Sequence, residues 1–240
     1  MQQRTRPVFV PLHDTNPLTH IRFQFMTIFL IFLNVAIFLV FQSGLVIPMD
    51  EAALASFALV PSELLPEGLI GQSTIGEKFD AIAVPEKWTL ITYMFLHGGL
   101  LHLGGNMLFL WVFGDNIEDA LGHFNFLIFY LLCGIAAGYA HSFMSPNSEI
   151  PLIGASGAIA GVIAADLLLH PKVQVWVLVL GRFPLPINAG LAIIAWFLFQ
   201  IAQVYFMTEG NTAWWAHIGG FVAGAFLILF MRRRGGPLFN

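Results

Sequence analysis

Six apolar runs divide the chain, near 24–42, 101–115, 124–143, 156–169, 187–206 and 214–231. A bilayer core is about 30 Å thick, and about 20 helical residues cross it. Each run therefore predicts a membrane-spanning helix. The breaks between them are polar and rich in glycine and proline: Gln42-Ser43-Gly44, Gly114-Asp115-Asn116, Ser145-Pro146-Asn147, His170-Pro171-Lys172 and Thr208-Glu209-Gly210-Asn211. The first two runs are separated by a long loop, 43–88, which carries seven acidic residues and two lysines. Its stretch from Asp50 to Leu65 is patterned to lie along a membrane surface as an amphipathic helix.

Composition fits a lipid environment. Of 240 residues 58% are hydrophobic and 10% charged, against about 25% charged in a soluble domain. The length leaves room for six spans and loops but for no second soluble domain. A net charge of −4 gives no hint of nucleic acid. Cys133 is the single cysteine and lies inside an apolar run, so neither a disulfide framework nor a thiolate metal site is available. The first apolar run follows a polar head of more than twenty residues and lacks a small-residue cleavage site, which predicts a retained span rather than a signal peptide.

Lys and Arg set the orientation. Arg4, Arg6, Arg22, Lys172, Arg182, Arg232, Arg233 and Arg234 make eight of the ten basic residues and fall on one side of the six spans. The positive-inside rule makes that side cytoplasmic. The expected fold is an all-α membrane protein, a bundle of six transmembrane helices with both termini cytoplasmic. Its parts are a short cytoplasmic segment at 1–23, a six-span domain at 24–231 with the loop 43–88 outside, and a basic cytoplasmic tail at 232–240.

Polar groups inside apolar runs are expensive and mark function. The second span opens with His97-Gly-Gly-Leu-Leu-His102-Leu-Gly-Gly-Asn106, the fourth with Gly154-Ala155-Ser156-Gly157, and the sixth with Trp214-Trp215-Ala216-His217. His102 and Asn106, four apart, share a helical face. From His102, Ser156 and His217 to the inner ends of their spans is about 20 Å in each case at 1.5 Å per residue. All three spans descend the same way, so the three residues are expected level, roughly 10 Å below the outer edge of the hydrocarbon core. A serine hydroxyl becomes a nucleophile when a base removes its proton, and histidine suits that task near neutral pH. The first amides of a helix starting at Ser156 lack helical partners and can face an oxyanion, with the helix dipole assisting. His102 and Asn106 are candidates for further donors. Asp166 lies ten residues beyond Ser156, about 15 Å deeper, which leaves a Ser156–His217 dyad rather than a triad.

The stretches HGGLLHLGGNM, FGDNIEDALGH, GASGAIAG and WWAHIGGFVAG, in this order between about Trp88 and Phe230, resemble the rhomboid family of intramembrane serine proteases. The resemblance implies Ser156 as nucleophile, His217 as base, and an oxyanion site from His102, Asn106 and the Ser156 amide, with Gly154 and Gly157 supporting it. It also implies a substrate gate on the fifth span, where Trp196, Phe197 and Phe199 lie, and cleavage of single-span membrane proteins near a helix-destabilised segment. No cofactor and no metal are expected. Six spans without a seventh resemble the bacterial form, which implies a multi-pass protein of the bacterial inner membrane. The sequence departs from the family twice. Thr89 follows Trp88 where rhomboids often have arginine, and Ala160 stands where an aromatic often packs on the base. Another residue, with the fifth span a candidate source, has to orient His217.

Blander readings exist for each feature. Ser156, Gly157 and Gly161 fit close helix packing, and Gly220 and Gly224 fit packing better than chemistry. His97 reads as lining the mouth of the second span; His123, His141 and His170 lie at helix ends, where interfacial or dipole-facing roles suffice. A metal site from His97, His102 and His217 lacks an HExxH pattern and a carboxylate ligand. Two other functions compete with proteolysis: a non-catalytic rhomboid-like binder of membrane segments, and a proton channel or transporter using His102, Asp166 and His217 as a relay.

Overall fold

The computed structural model describes residues 9–47, 51–64, 82, 84–179, 182–206 and 213–233. Helix α1 (Phe25–Ile37) runs on into a π-helical turn, Phe38–Gln42. Three short helices follow: α2 (Glu51–Ala55), α3 (Pro61–Leu64) and α4 (Glu86–Thr92), the last extended by a 3-10 turn, Tyr93–Phe95. The bundle is completed by α5 (Leu100–Leu121), α6 (His123–Met144), α7 (Ser156–Leu169), α8 (Ala189–Phe206) and α9 (Trp214–Met231). By length and composition Phe25–Gln42, α6 and α9 can each cross a membrane; α4 with its 3-10 turn and α5, bent by 85°, make a fourth candidate. Helices α7 and α8 are shorter apolar helices.

Two expectations are corrected. Gly114-Asp115-Asn116 is no break, because α5 continues to Leu121 and stops at Gly122, whose φ of +83° favours glycine. The fold is also not purely helical. Strands β1 (Phe9–Asp14), β2 (Gln174–Val179) and β3 (Phe183–Asn188) form an antiparallel sheet in the order β1-β2-β3, and β3 takes the first residues of the expected fifth span. The β-branched run in β2 buries Val175 and Val177, and Pro184 and Pro186 sit on an edge strand, where a missing N–H is tolerated. Arg4, Arg6, Asp50, Leu65, the stretch 208–211 and Arg234 lie outside the described residues.

The polar residues of the supposed break hold the N-terminal segment instead. Glu118, fully buried, accepts from the Met26 and Thr27 amides at 2.9 and 2.8 Å and from the Thr27 hydroxyl at 2.7 Å. It thus satisfies the orphan donors at the start of α1, and the His123 ring bonds it from the other side. Asp119 accepts from the amides of Thr19, His20 and Ile21 at 3.1, 2.6 and 2.7 Å. Asn116 donates to Asp166 at 3.0 Å and to Asp14, and burial raises the Asp14 carboxyl above its ordinary range. Asp166 also meets the His170 ring at 3.2 Å. Asp166, unexplained by sequence, is therefore a tie between α7, α5 and the N-terminal strand, at the far end of α7 from Ser156.

Helix α7 is the axis of the bundle: every residue from Gly157 to Asp166, and Leu169, is buried. Small residues let its neighbours approach to backbone distance. A Cβ on Gly220 would lie 1.9 Å from the Gly157 carbonyl oxygen, and one on Gly224 2.2 Å from that of Gly161. The outer surface is apolar, with Phe32, Phe124, Phe143, Leu191 and Phe230 among the exposed side chains, as a lipid-facing surface requires. Because backbone rather than a flexible side chain opposes Gly224, Gly224→Ala is expected to destabilise the bundle by about 1–3 kcal/mol. A lowered thermal midpoint in detergent would show it.

Candidate active site

Ser156 is the first residue of α7, and His217 lies one turn into α9. The glycine contacts that join these helices bring His217 Nε2 to 2.8 Å from Ser156 Oγ. On the other side of the ring, Nδ1 is 2.8 Å from Gln200 Oε1 on α8. A carboxamide oxygen only accepts, so Nδ1 carries the proton, and Nε2 presents its lone pair to the serine hydroxyl. The indole rings of Trp196 and Trp214 flank the imidazole, each with its centroid about 6 Å away, at 6.0 and 6.1 Å.

His102 and Asn106 lie on one face of the first turns of α5, as their spacing predicts. His102 Nδ1 accepts from the Gly98 amide at 3.3 Å, which leaves the proton of a neutral ring on Nε2. That nitrogen faces Gly154: a Cβ there would come within 2.8 Å of His102 Nε2 and 3.7 Å of Asn106 Nδ2. Asn106 is buried, and its Nδ2 has no partner. A buried amide donor without an acceptor is unfavourable, and Asn106 lines the same cavity as Ser156.

The supporting loops are fixed by backbone bonds. The Gln42 side chain pairs with both the N–H and C=O of His97, at 3.1 and 3.0 Å, and so sets the neighbouring Gly98 amide that orients His102. The Gly154 amide donates to the Tyr93 carbonyl at 2.9 Å, while the Tyr93 hydroxyl donates to the Gly134 carbonyl at 2.7 Å. Gly154 has φ +120°, a conformation side chains rarely adopt, and Gly157 abuts Ala137 on α6. His97 is buried behind His102, the ring centroids 5.2 Å apart. Among the described residues no group of three or more His, Cys, Asp or Glu is placed to hold a metal.

Ser156, His217, His102 and Asn106 all line one open cavity of about 900 Å³, together with His141, Trp196 and Trp214. Of the three aromatics named for the gate, Trp196 faces this cavity. Phe197 stacks on Phe221 of α9 at 4.0 Å, and Phe199 meets the edge of Trp214 at 6.1 Å. His141, read from sequence as a helix-end residue, does lie in the last turn of α6 and also lines the cavity. Sequence reasoning missed Gln42 and Gln200. Gln42 stood in a break, and Gln200 was hidden in an apolar run where only its polarity marked it. A serine paired with an imidazole beside an unpartnered amide donor, Asn106 Nδ2, is chemically equipped for acyl transfer.

Such a helical bundle, with a serine–histidine pair in an open cavity among apolar helices, defines a class of membrane hydrolase-like proteins. The chain belongs to the rhomboid family: the Rhomboid domain matches residues 84–234, and the family is integral to membranes. It is 29% identical to RHOMBOID-like protein 5 of Arabidopsis thaliana over 63% of this chain and 47% of that protein. It is 32% identical to Rhomboid protein 1, mitochondrial, of Saccharomyces cerevisiae over 59% of this chain and 41% of that one. With Rhomboid protease GluP of Bacillus subtilis it shares 33% identity over 60% of this chain and 26% of that protein. The chain thus matches less than half the length of each.

Gly154→Ala tests the site's geometry without removing a reacting group. The added methyl displaces the His102 ring and strains the backbone, so covalent labelling of Ser156 by a fluorophosphonate is expected to slow by at least about tenfold. Retained thermal stability would separate this from unfolding.

Proposed function

We propose that this chain is an intramembrane serine endopeptidase that hydrolyses peptide bonds in or near transmembrane segments of single-span membrane proteins. The observation that carries the reading is the 2.8 Å contact between Ser156 Oγ and His217 Nε2, with the unpartnered Asn106 amide beside it. Ser156 Oγ attacks the scissile carbonyl carbon while its proton passes to His217 Nε2. The carbonyl oxygen becomes an oxyanion, accepting from Asn106 Nδ2, His102 Nε2–H and the Ser156 amide. The C–N bond then breaks, and the leaving amine takes the proton from His217. Water attacks the resulting ester, gives its proton to His217, and the C–Oγ bond breaks as Oγ recovers that proton.

The topology proposed with this chemistry has six spans and both termini in the cytoplasm of a bacterial inner membrane, with domain limits at 24 and 231. Basic-residue placement supports it, and so does the helix on each of the six apolar runs. Helix α8, bearing Trp196, Phe197 and Phe199, is the proposed gate; Trp196 and Phe197 pack against Phe221 of α9.

Ser156→Ala and His217→Ala should each reduce cleavage of a single-span substrate in proteoliposomes to background while the protein still inserts. Asn106→Ala is expected to lower kcat about 100- to 1,000-fold, as for other oxyanion donors. Normal cleavage by Ser156→Ala would end the reading, and a bound substrate recovered intact from the unmutated protein would turn it to a non-catalytic binder. Flux of protons insensitive to serine reagents would favour a channel, although Asp166 is engaged with Asn116 and His170 far from His217.

A further inference from the structure

The base has more support than a dyad supplies, and that support comes from a helix that provides no reacting group. Gln200 is only 3% exposed, and its Oε1 meets His217 Nδ1 at 2.8 Å. Trp196, one helical turn earlier on the same face, lies with its ring 6.0 Å from the imidazole. Ala160, in contrast, offers His217 no aromatic face from α7. An imidazole whose Nδ1 proton has no acceptor can turn about its side-chain bonds or take the other tautomer, and in that tautomer Nε2 donates to Ser156 and cannot receive its proton.

We infer that Gln200 is a positioning residue for the base: as third member of a Ser156–His217–Gln200 relay it holds the Nδ1–H tautomer and the ring plane that let Nε2 deprotonate Ser156. The inference rests on the serine-protease reading above. A neutral carboxamide serves here where soluble serine hydrolases use a carboxylate, which suits a buried site because it adds no charge to desolvate. Since Gln200 and Trp196 share α8, the base is fully supported only with α8 docked on α9.

The test compares purified full-length protein, Ser156→Ala, Gln200→Met, Gln200→Glu and Gln200→Asn on one single-span substrate in proteoliposomes. Methionine matches glutamine in shape but its thioether is a poor acceptor, whereas glutamate matches in shape and accepts. Gln200→Met is expected to lower kcat between about 10- and 1,000-fold with KM within about twofold. Gln200→Glu should recover most of that loss. A residue that merely fills space predicts the reverse order, because buried methionine is harmless and a buried carboxylate is not. Should the glutamate variant fail to fold, Gln200→Asn, which keeps an uncharged acceptor, must exceed Gln200→Met in kcat. Wild-type kcat in Gln200→Met, or no rescue by either acceptor, overturns the inference while an inactive Ser156→Ala leaves the dyad standing. If Ser156→Ala cleaves normally, both readings fall together.

Discussion

The structure depends on one close approach: α7 and α9 touch backbone to backbone. Gly157 and Gly161 on one helix meet Gly220 and Gly224 on the other, with no room for a single added carbon. In lipid no hydrophobic driving force favours one helix pairing over another, so dispersion at such close contact decides which helices meet. The contact has a register as well as an affinity. Gly157 directly follows the serine, and Gly220 lies three residues beyond the histidine. Fixing these glycines therefore fixes the hydroxyl and imidazole at one level. Packing and chemistry are not alternatives for this small-residue stripe, since the packing supplies the geometry.

A second constraint works at the other end of the bundle. Carboxylates within apolar helices are unfavourable unless their oxygens are paired. Glu118, Asp119 and Asp166 are each met by several donors, drawn from the start of α1, the segment 19–21, Asn116 and His170. These bonds tie α1, α5, α7 and the cytoplasm-facing strand of the proposed topology into one unit. The polar interruptions of the sequence thus divide by depth. Those near the start of α5, α7 and α9 face a cavity, where the Asn106 amide lacks a partner, while those near the ends of α5 and α7 are closed by partners within the fold.

That division explains what the sequence made legible. Each of the six apolar runs lies on a helix, because hydropathy over about 20 residues is a strong signal. His102, Asn106, Ser156 and His217 stood out because each interrupts such a run near the same end. The break read at Gly114-Asp115-Asn116 was misplaced because polarity alone does not tell a helix end from a helix whose carboxylates have partners distant in sequence. Asp119 and its acceptor-satisfied amides are about a hundred residues apart. The sheet was invisible for a similar reason. β1 and β2 are joined across most of the chain, and the span pattern absorbed the end of β3.

Gln200 shows the finest limit. A glutamine in an apolar run is as noticeable as a histidine, but its meaning depends on which helix face it occupies and what stands opposite. The gap at Ala160 pointed to a missing support for His217 and, through the family resemblance, toward the fifth span, without singling out a residue. Only the crossing of α8 over α9 turns that polarity into a bond with Nδ1. The base then answers to two helices. α9 carries it to the nucleophile, and α8 sets which of its nitrogens is free to react. Because α8 meets α9 through side chains such as Phe197 and Phe221 rather than through glycine backbone, the reactive tautomer is tied to a side-chain contact, while the meeting of base and nucleophile rests on backbone.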